Sequence, residues 1–307
     1  MVRSPLKPAS ILFLAAIFQI SVPPENSLAG PRVVQVDATG FEIVLDRPPS
    51  RIVSLNPDLT ENVIALGAGG RLVGVSDFCP LPSGTSPEKL GGLQNPGLER
   101  IVVLRPDLVL ATREGNSPET VSRLRGLGLE VFVFSESPDF AAYFSFLKEL
   151  GLLLGRSEAA AGLVGELKKT LEGVRDHSSS ASPVPVFIQI GVQPLITASR
   201  ATLIGEMIEI AGGENISVGL SSRYPVFSRE RVLAEDPAVI IVAAMGSEAE
   251  EAMAYWRRFP ELRAVKNRRV YLLDPDTVCR LGPRLGEGLE LIRLFVTGSA
   301  GGGGEGG

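Results

Sequence analysis

The longest helix-forming stretch of the chain is 139–176, which reads DFAAYFSFLKELGLLLGRSEAAAGLVGELKKTLEGVRD. No strand pattern interrupts it, and leucines recur along it at helical spacing, namely Leu147, Leu150, Leu154, Leu163, Leu167 and Leu171. A typical helix of a globular protein has about 11–12 residues, so this stretch is unusually long. We therefore predict a long backbone helix over 139–177 that joins two separate parts of the chain. Gly151 and Gly155 are the places where it would bend or divide into two pieces.

Strand and helix patterns alternate on both sides of this stretch. Short apolar runs predict buried strands at 51–55, 72–75, 107–111, 130–134, 184–190, 238–243 and 269–273. Helical patterns fall between and after them, at 57–66, 97–104, 117–127, 203–211, 228–234, 248–257 and 284–296. Because parallel strands need such crossovers, we predict an α/β fold of two lobes, 50–138 and 184–297, each with a mainly parallel central sheet flanked by helices. Open parallel sheets bind ligands beyond the carboxyl ends of their strands, so a ligand cleft is expected between the lobes.

Composition narrows the classes of function. Of the 307 residues, 44% are hydrophobic and 21% are charged, which excludes a disordered protein. The net charge of −5 argues against a nucleic-acid partner, because such proteins usually carry a basic patch. His177 is the only histidine, so a histidine metal site or Ser-His-Asp catalysis is not expected. The sequence also has neither a dinucleotide fingerprint nor a P-loop, so we predict a binding protein without a resident cofactor or metal, rather than an enzyme.

The N-terminus has the pattern of a signal peptide. Arg3 and Lys7 precede the apolar run 11–20, and Ser27-Leu28-Ala29 forms a small-residue cleavage site. The apolar run is too short to cross a bilayer, which takes about 20 residues. We therefore predict that residues 1–29 are removed on export to the periplasm. The glycine-rich stretch 298–307 is predicted to be a disordered tail.

An internal repeat relates the two lobes. Residues 99–111, ERIVVLRPDLVLA, align without gaps with residues 230–242, ERVLAEDPAVIIV. In each copy a glutamate opens a short helix, and a proline precedes a buried strand, so Glu99 and Glu230 hold equivalent places. Two compatible interpretations follow. Each carboxylate stabilises its helix N-terminus, or the pair forms a symmetric anionic surface for arginines of a two-fold partner.

Several blocks of the chain resemble the helical-backbone (class III) substrate-binding proteins of ABC importers, most closely the branch that binds cobalamin. The resemblance spans 50–297 and includes RIVSLNPDLTE at 51–61, LVGVSD at 72–77, NPGLERI at 95–101, GGENI at 212–216 and GPR at 282–284. It implies a rigid, monomeric two-lobed receptor that clamps a small molecule and delivers it to a membrane permease dimer. It also implies that Glu99 and Glu230 dock on permease arginines.

The resemblance further implies a ligand-binding set. Phe78 and Tyr224 keep aromatic side chains at positions that lie against the corrin in cobalamin-binding members. The other corresponding cleft positions are Leu93, Gln94, Thr112, Ile190 and Asp276; the last is a carboxylate that can accept hydrogen bonds from ligand amides. Leu93, Thr112 and Ile190 stand where such members have aromatic residues. The resemblance to the cobalamin-binding branch implies that the ligand is cobalamin or a related corrinoid. The alternative ligands are an iron siderophore and haem, and the alternative function is that of an extracytoplasmic sensor.

The resemblance to the family implies that Cys79 and Cys279 lie on cleft-facing loops, one on each lobe. Three roles remain open for them: a disulfide between the lobes, two free packed thiols, or a contact with a ligand metal or a partner. Four arginines are candidates for either the cleft rim or ordinary surface: Arg113, Arg223, Arg280 and Arg284. Haem or an acidic chelate would need such arginines, whereas a largely neutral corrinoid would not.

Overall fold

The computed structural model describes residues 32–178, 182–217, 219–220, 222–244 and 246–299. The predicted signal peptide, and residues 300–307 of the predicted tail, lie outside the described residues. Within the described part of the chain, no helix is both long enough and apolar enough to cross a bilayer.

A two-stranded antiparallel hairpin comes first along the described chain. Its strands are β1 (Val33–Val36) and β2 (Glu42–Leu45), and Val33 lies opposite Leu45. Ile43 of β2 is only 1% exposed and belongs to the main core of the molecule. This hairpin was not among the predicted strands.

The first sheet has five parallel strands in the order β5-β4-β3-β6-β7. The strands are β3 (Ile52–Ser54), β4 (Leu72–Val75), β5 (Glu88–Lys89), β6 (Leu108–Thr112) and β7 (Val131–Phe134). Its helices are α1 (Pro57–Ala65), α2 (Leu98–Val103) and α3 (Pro118–Gly126). Strands β3 and β7 are buried along their whole length, which explains why they read as unbroken apolar runs.

The connecting stretch contains two helices, α4 (Phe140–Leu153) and α5 (Ser157–Ser178). The predicted long helix is confirmed in the 22 residues of α5, and the stretch divides into two pieces near Gly155, one of the two predicted places. Gly155 has a φ of 63°, a left-handed conformation that favours glycine, and it follows the end of α4. Gly151 does not break α4. A Cβ there would lie 2.5 Å from the Cβ of Ala160, so glycine permits the close packing of α4 on α5.

The second sheet has four parallel strands in the order β10-β8-β11-β12, and β9 pairs antiparallel with β8. The strands are β8 (Val184–Gly191), β9 (Ile196–Thr197), β10 (Gly213–Asn215), β11 (Val239–Val242) and β12 (Val270–Leu272). The helices are α6 (Leu203–Ile210), α7 (Arg229–Glu235), α8 (Ser247–Trp256), α9 (Arg263–Lys266) and α10 (Leu285–Thr297). The predicted α/β class is confirmed, although the short elements β5, β9, β10 and α9 were not predicted.

One apolar core joins the two sheets. It extends from Leu110 in β6 through Leu150 in α4 and Leu171 in α5 to Ile188 in β8 and Ile292 in α10. Helix α5 packs against α4 of the connecting stretch and against α6 and α10 of the second lobe. The two lobes are therefore held together by packing as well as by chain connection.

Candidate functional site

In each sheet, successive strands are first added on one side of the starting strand and then on its other side. Open α/β sheets bind ligands at the point where the strand order reverses in this way. In the first sheet the chain runs from β3 outward to β5 and returns to β6, and in the second it runs from β8 to β10 and returns to β11. Thr112 ends β6 and Ile190 lies near the end of β8, so both lie at these reversal points. At the first, the Asn56 side-chain amide donates to Thr112 Oγ1 across 2.9 Å.

Thr112 belongs to a hydrogen-bond network that orders two loops of the first lobe. The N–H of Gly115 donates to Thr112 Oγ1 at 3.0 Å, and Asn116 Nδ2 donates to the carbonyl of Leu93 at 2.8 Å. Gln94 Nε2 donates to the carbonyl of Gly115 at 2.9 Å. The structure therefore brings three of the predicted ligand residues, Leu93, Gln94 and Thr112, onto one connected surface.

Two of the predicted ligand residues are exposed aromatic side chains, one on each lobe. Phe78 follows β4 and is 62% exposed, and Tyr224 precedes α7 and is 44% exposed. The Tyr224 hydroxyl lies 3.4 Å from a carboxylate oxygen of Glu136, on the loop between β7 and α4. Partial burial of the phenol, and then the charge of Glu136, raise the pKa of Tyr224 to about 12, so it stays neutral. Its side chain is partly exposed and can contact a ligand.

Arg223, one of the four candidate rim arginines, reaches from the second lobe to the first. Its guanidinium forms an ion pair with Glu136. Glu136 therefore binds both Arg223 and the Tyr224 hydroxyl, although it was not among the predicted site residues. Arg113, next to Thr112 at the end of β6, is exposed.

Asp276 lies in the turn after β12 and is already engaged by two of the candidate arginines. Its carboxylate is 3.0 Å from Arg280 and 3.5 Å from Arg284. Arg280 also lies 2.9 Å from Glu61 of α1, and Arg284 lies 3.0 Å from Asp274. A ligand amide at Asp276 would therefore share the carboxylate with two guanidinium groups.

A cavity of about 240 Å³ has lining residues from both lobes. The first lobe supplies most of its wall, and Leu281 lines it from the second lobe. Thr112 is the only member of the predicted ligand set that lines it, together with three carboxylates that were not predicted: Asp58, Glu114 and Glu136. Asp58 could be read from the sequence only as a helix cap, because its partner lies far along the chain.

Asp58 has the most unusual environment of these carboxylates. Burial raises its pKa, the N–H of Leu281, which donates to Asp58, lowers it, and the charge of Glu61 raises it; the net pKa is about 6. Because Asp58 is largely ionised at neutral pH, its contact with Leu281 offsets part of the cost of burying the charge.

In this structure both cysteines are free thiols and are not bonded to each other. Cys79 is buried, with its sulfur 3.0 Å from Thr60 Oγ1 and 3.1 Å from Ser76 Oγ. Cys279 reaches solvent, but burial of its thiol and the nearby charge of Asp276 raise its pKa to about 12, so it is a poor nucleophile. Among the described residues, no group of three or more His, Cys, Asp or Glu side chains could hold a metal ion.

Glu99 and Glu230 occupy equivalent positions, in agreement with the repeat. Each is the second residue of a short helix, α2 or α7, and each is exposed. Helix α2 leads into β6 and α7 into β11, which flank the central strands β3 and β8. Because a helix between parallel strands starts near their carboxyl ends, both carboxylates lie at the cleft-side edge of their sheets.

Comparison with known proteins agrees with this architecture. Residues 52–277 match the periplasmic binding protein family. A vitamin B12-binding protein of Yersinia pseudotuberculosis serotype O:3 (strain YPIII) is 34% identical over 236 residues, which cover 76% of this chain and 82% of that protein. The periplasmic vitamin B12 binding protein of Vibrio cholerae has a TM-score of 0.70 and 29% identity, covering 83% of this chain and 99% of that chain.

Relatives with another ligand share the same fold. A periplasmic heme binding protein from Pseudomonas aeruginosa has a TM-score of 0.72 and 30% identity, covering 82% of this chain and 94% of that chain. Three observations indicate the same family: the sequence blocks, the two sheets joined through α5, and these matches. The chain therefore belongs to the periplasmic binding protein family.

Proposed function

We propose that this protein captures a corrinoid, cobalamin or a close relative, in the cleft between its lobes and delivers it to an ABC importer permease. The observation that carries the proposal is the pair of exposed aromatic side chains, Phe78 and Tyr224, one on each lobe. A flat corrin macrocycle offers both rings a large apolar surface. The 34% identity to a vitamin B12-binding protein supports the same ligand class.

The size of the cavity indicates how a corrinoid would lie. Its volume of about 240 Å³ is below the roughly 300–1,000 Å³ of pockets that enclose drug-sized ligands. The macrocycle would therefore rest across the mouth of the cleft, above the cavity, where Phe78 and Tyr224 are exposed.

The charges of the cleft favour a corrinoid over haem or an acidic iron chelate. Haem carries two propionates, which need unpaired cations. Three of the four candidate rim arginines, Arg223, Arg280 and Arg284, are paired with carboxylates of the chain itself, whereas Arg113 is exposed and has no ion pair within the described residues. The primary amides around a corrin are hydrogen-bond donors, and they suit a cleft rich in carboxylate oxygens.

Glu99 and Glu230 are the proposed contacts with the permease. They are exposed and equivalent, and they are carried on rigid helices at the cleft-side edges of the two sheets. A permease dimer with a two-fold axis would present one arginine cluster to each of them.

Cyanocobalamin is expected to bind more tightly than 10 μM, a binding free energy of roughly −7 kcal/mol, when measured by titration calorimetry. Phe78→Ala and Tyr224→Ala should each weaken binding by about tenfold, because each removes one aromatic contact with the macrocycle. Phe41→Ala is the matched control, since Phe41 is an exposed phenylalanine in the hairpin turn region rather than at the cleft.

Haemin and a ferric siderophore serve as competing ligands in the same titrations. Tighter binding of either one than of cyanocobalamin and cobinamide would show that the corrinoid assignment is wrong. Equal losses in Phe78→Ala and Phe41→Ala would remove the stacking argument while leaving the ligand class intact.

Glu136→Gln is expected to change the charge preference of the cleft. The substitution frees Arg223 from its ion pair. A cyanocobalamin monocarboxylate, in which one peripheral amide is a carboxylate, should then bind about fivefold more tightly than it binds the unmodified protein, a gain near 1 kcal/mol. Cyanocobalamin itself should bind nearly as before.

Glu119→Gln provides the control for that substitution, because Glu119 is paired with Arg123 within α3 at 2.9 Å. It changes the net charge by the same amount and breaks a similar carboxylate–arginine pair. An equal gain for the monocarboxylate in Glu119→Gln would attribute the effect to net charge, and would contradict a local effect of Glu136.

A further inference from the structure

Two of the sequence blocks quoted above, 51–61 and 282–284, meet in space. The first leads into α1, and three polar side chains share one face of this helix at i, i+3 and i+4: Asp58, Glu61 and Asn62. The second lies just before α10, in the second lobe. Neither block is accounted for by the ligand residues or the docking glutamates.

Side chains of α1 form hydrogen bonds with the backbone of Leu281, just before the second block. Asn62 Nδ2 donates to the carbonyl of Leu281 at 2.6 Å, and the N–H of Leu281 donates to the Asp58 carboxylate. Next to it, Arg280 donates to Glu61 at 2.9 Å. We call these residues the α1 clasp: Asp58, Glu61 and Asn62 of the first lobe, with Arg280 and Leu281 of the second.

The connecting helices take part through a buried tyrosine. The hydroxyl of Tyr143, in α4, donates to Asn62 Oδ1 at 2.9 Å. Asn62 is 0% exposed and Tyr143 is 1% exposed, and Asn62 Nδ2 also donates to the carbonyl of Asp58 at 2.7 Å. Displacing Leu281 would leave its partly buried carbonyl and one N–H of the buried Asn62 amide without this hydrogen bond, which is unfavourable.

Gly282 allows the lobes to approach this closely. A Cβ built at Gly282 would lie 2.7 Å from Glu61 Oε2, which is inside contact distance. A side chain at this position would require the end of the Glu61 side chain to shift. A glycine in the 282–284 block is therefore compatible with the close approach of Glu61 to Arg280.

We propose that the α1 clasp fixes the orientation of the two lobes, and so sets both the width of the ligand cleft and the spacing of Glu99 and Glu230. Asp58 and Asn62 are positioning residues, since they hold the backbone of the opposite lobe. The clasp is a second attachment between the lobes, in addition to the chain crossing at α4 and α5. The consequence for transport rests on the proposed function, whereas the lobe orientation does not.

The test is an inter-lobe distance measured by electron spin resonance on the ligand-free protein. Spin labels are placed at Val103→Cys and Val226→Cys, whose native side chains are 78% and 68% exposed on the two lobes. Cys279→Ser removes the exposed native thiol, and the buried Cys79 is retained. The background protein should give one narrow distance distribution.

Asn62→Asp is expected to broaden that distribution and shift it, because a carboxylate oxygen would face the carbonyl of Leu281. Asn215→Asp is the matched control. Asn215 is 1% exposed and donates to Ala198 at 2.8 Å within the second lobe alone, so its distribution should stay narrow. A narrow distribution in Asn62→Asp, or equal broadening in both variants, would overturn the proposal.

Asp58 supplies a second route if Asn62→Asp does not fold. Asp58→Ala should broaden the distribution, and Asp58→Asn should restore it, because an amide oxygen can still accept the N–H of Leu281. Equal behaviour of these two variants would contradict a positioning role for Asp58. No ligand is present in these measurements, so a failure of the clasp is distinguishable from a failure of the corrinoid assignment.

Discussion

Uptake of cyanocobalamin should fall by about 100-fold or more when Glu99→Ala and Glu230→Ala are combined, provided that the permease recognises both lobes. Each substitution removes a charged hydrogen-bonding group worth about 1.5–3 kcal/mol at an interface, and the two losses act together. The measurement is uptake of labelled cyanocobalamin into vesicles that contain the permease and its ATPase. Ligand affinity, measured separately by calorimetry, should not change, because both carboxylates lie outside the proposed binding surface.

The control must separate docking from the ordinary stabilisation of helix N-termini. Glu119 in α3 and Glu248 in α8 are also first-turn glutamates, one on each lobe. The double variant Glu119→Ala, Glu248→Ala removes the same charge and the same helix-dipole interactions, yet it should transport normally. Equal loss of uptake in the two double variants, or unchanged uptake without Glu99 and Glu230, would defeat the docking proposal.

The parts of the fold that could be predicted from sequence are those set by local pattern and burial. Strand β11 is buried along its whole length, so hydrophobicity alone marks it. The repeat correctly placed a short helix before β6 and before β11, since both copies keep an acidic first turn and a proline before the strand. Short strands such as β10 (Gly213–Asn215) carry no such pattern, and they form because β8 is available to pair with them.

Side-chain partners were much less predictable than strands. Glu136 and Arg223 are 87 positions apart in the chain, and Glu61 and Arg280 are 219 apart. Nothing local distinguishes such residues from ordinary surface charges, because their pairing depends on how the two lobes approach. The aromatic residue Phe78, in contrast, could be placed by resemblance, and its exposure agrees with a contact role without testing it.

The hairpin of β1 and β2 was missed although its signal is present. Residues 33–45, VVQVDATGFEIVL, contain two apolar segments around a turn-forming Asp-Ala-Thr-Gly sequence. The turn residue Asp37 ties the hairpin to the first lobe. Its carboxylate accepts the N–H of Val133 in β7 at 2.9 Å and forms an ion pair with Arg125 of α3.

Asp37→Ala is expected to lower the free energy of unfolding by about 3–5 kcal/mol, the usual loss when one partner of a buried ion pair is removed. The side chain of Asp37 is 0% exposed and that of Arg125 is 17% exposed, so the guanidinium would lose its partner in a poorly solvated place. Urea unfolding followed by circular dichroism measures the change. Asp46→Ala is the matched control, because Asp46 is 87% exposed in its ion pair with Arg32, and it should cost at most about 1 kcal/mol.

The pH dependence of the stability lost on replacing Asp37 tests whether the charge of its carboxylate causes that loss. Burial by itself would raise the pKa of Asp37, but hydrogen bonds from the side chain and N–H of Thr39 and from the N–H groups of Val133 and Phe41 outweigh it, so the pKa lies below its ordinary value of 3.8. A carboxyl with a lowered folded pKa stabilises the protein above its unfolded pKa, and this contribution is lost as the pH falls through the folded value. The stability difference between the unmodified protein and Asp37→Asn should therefore be constant near pH 7 and shrink below pH 3.8. A difference that is unchanged in acid would mean that Asp37 acts through packing alone, and not through its charge.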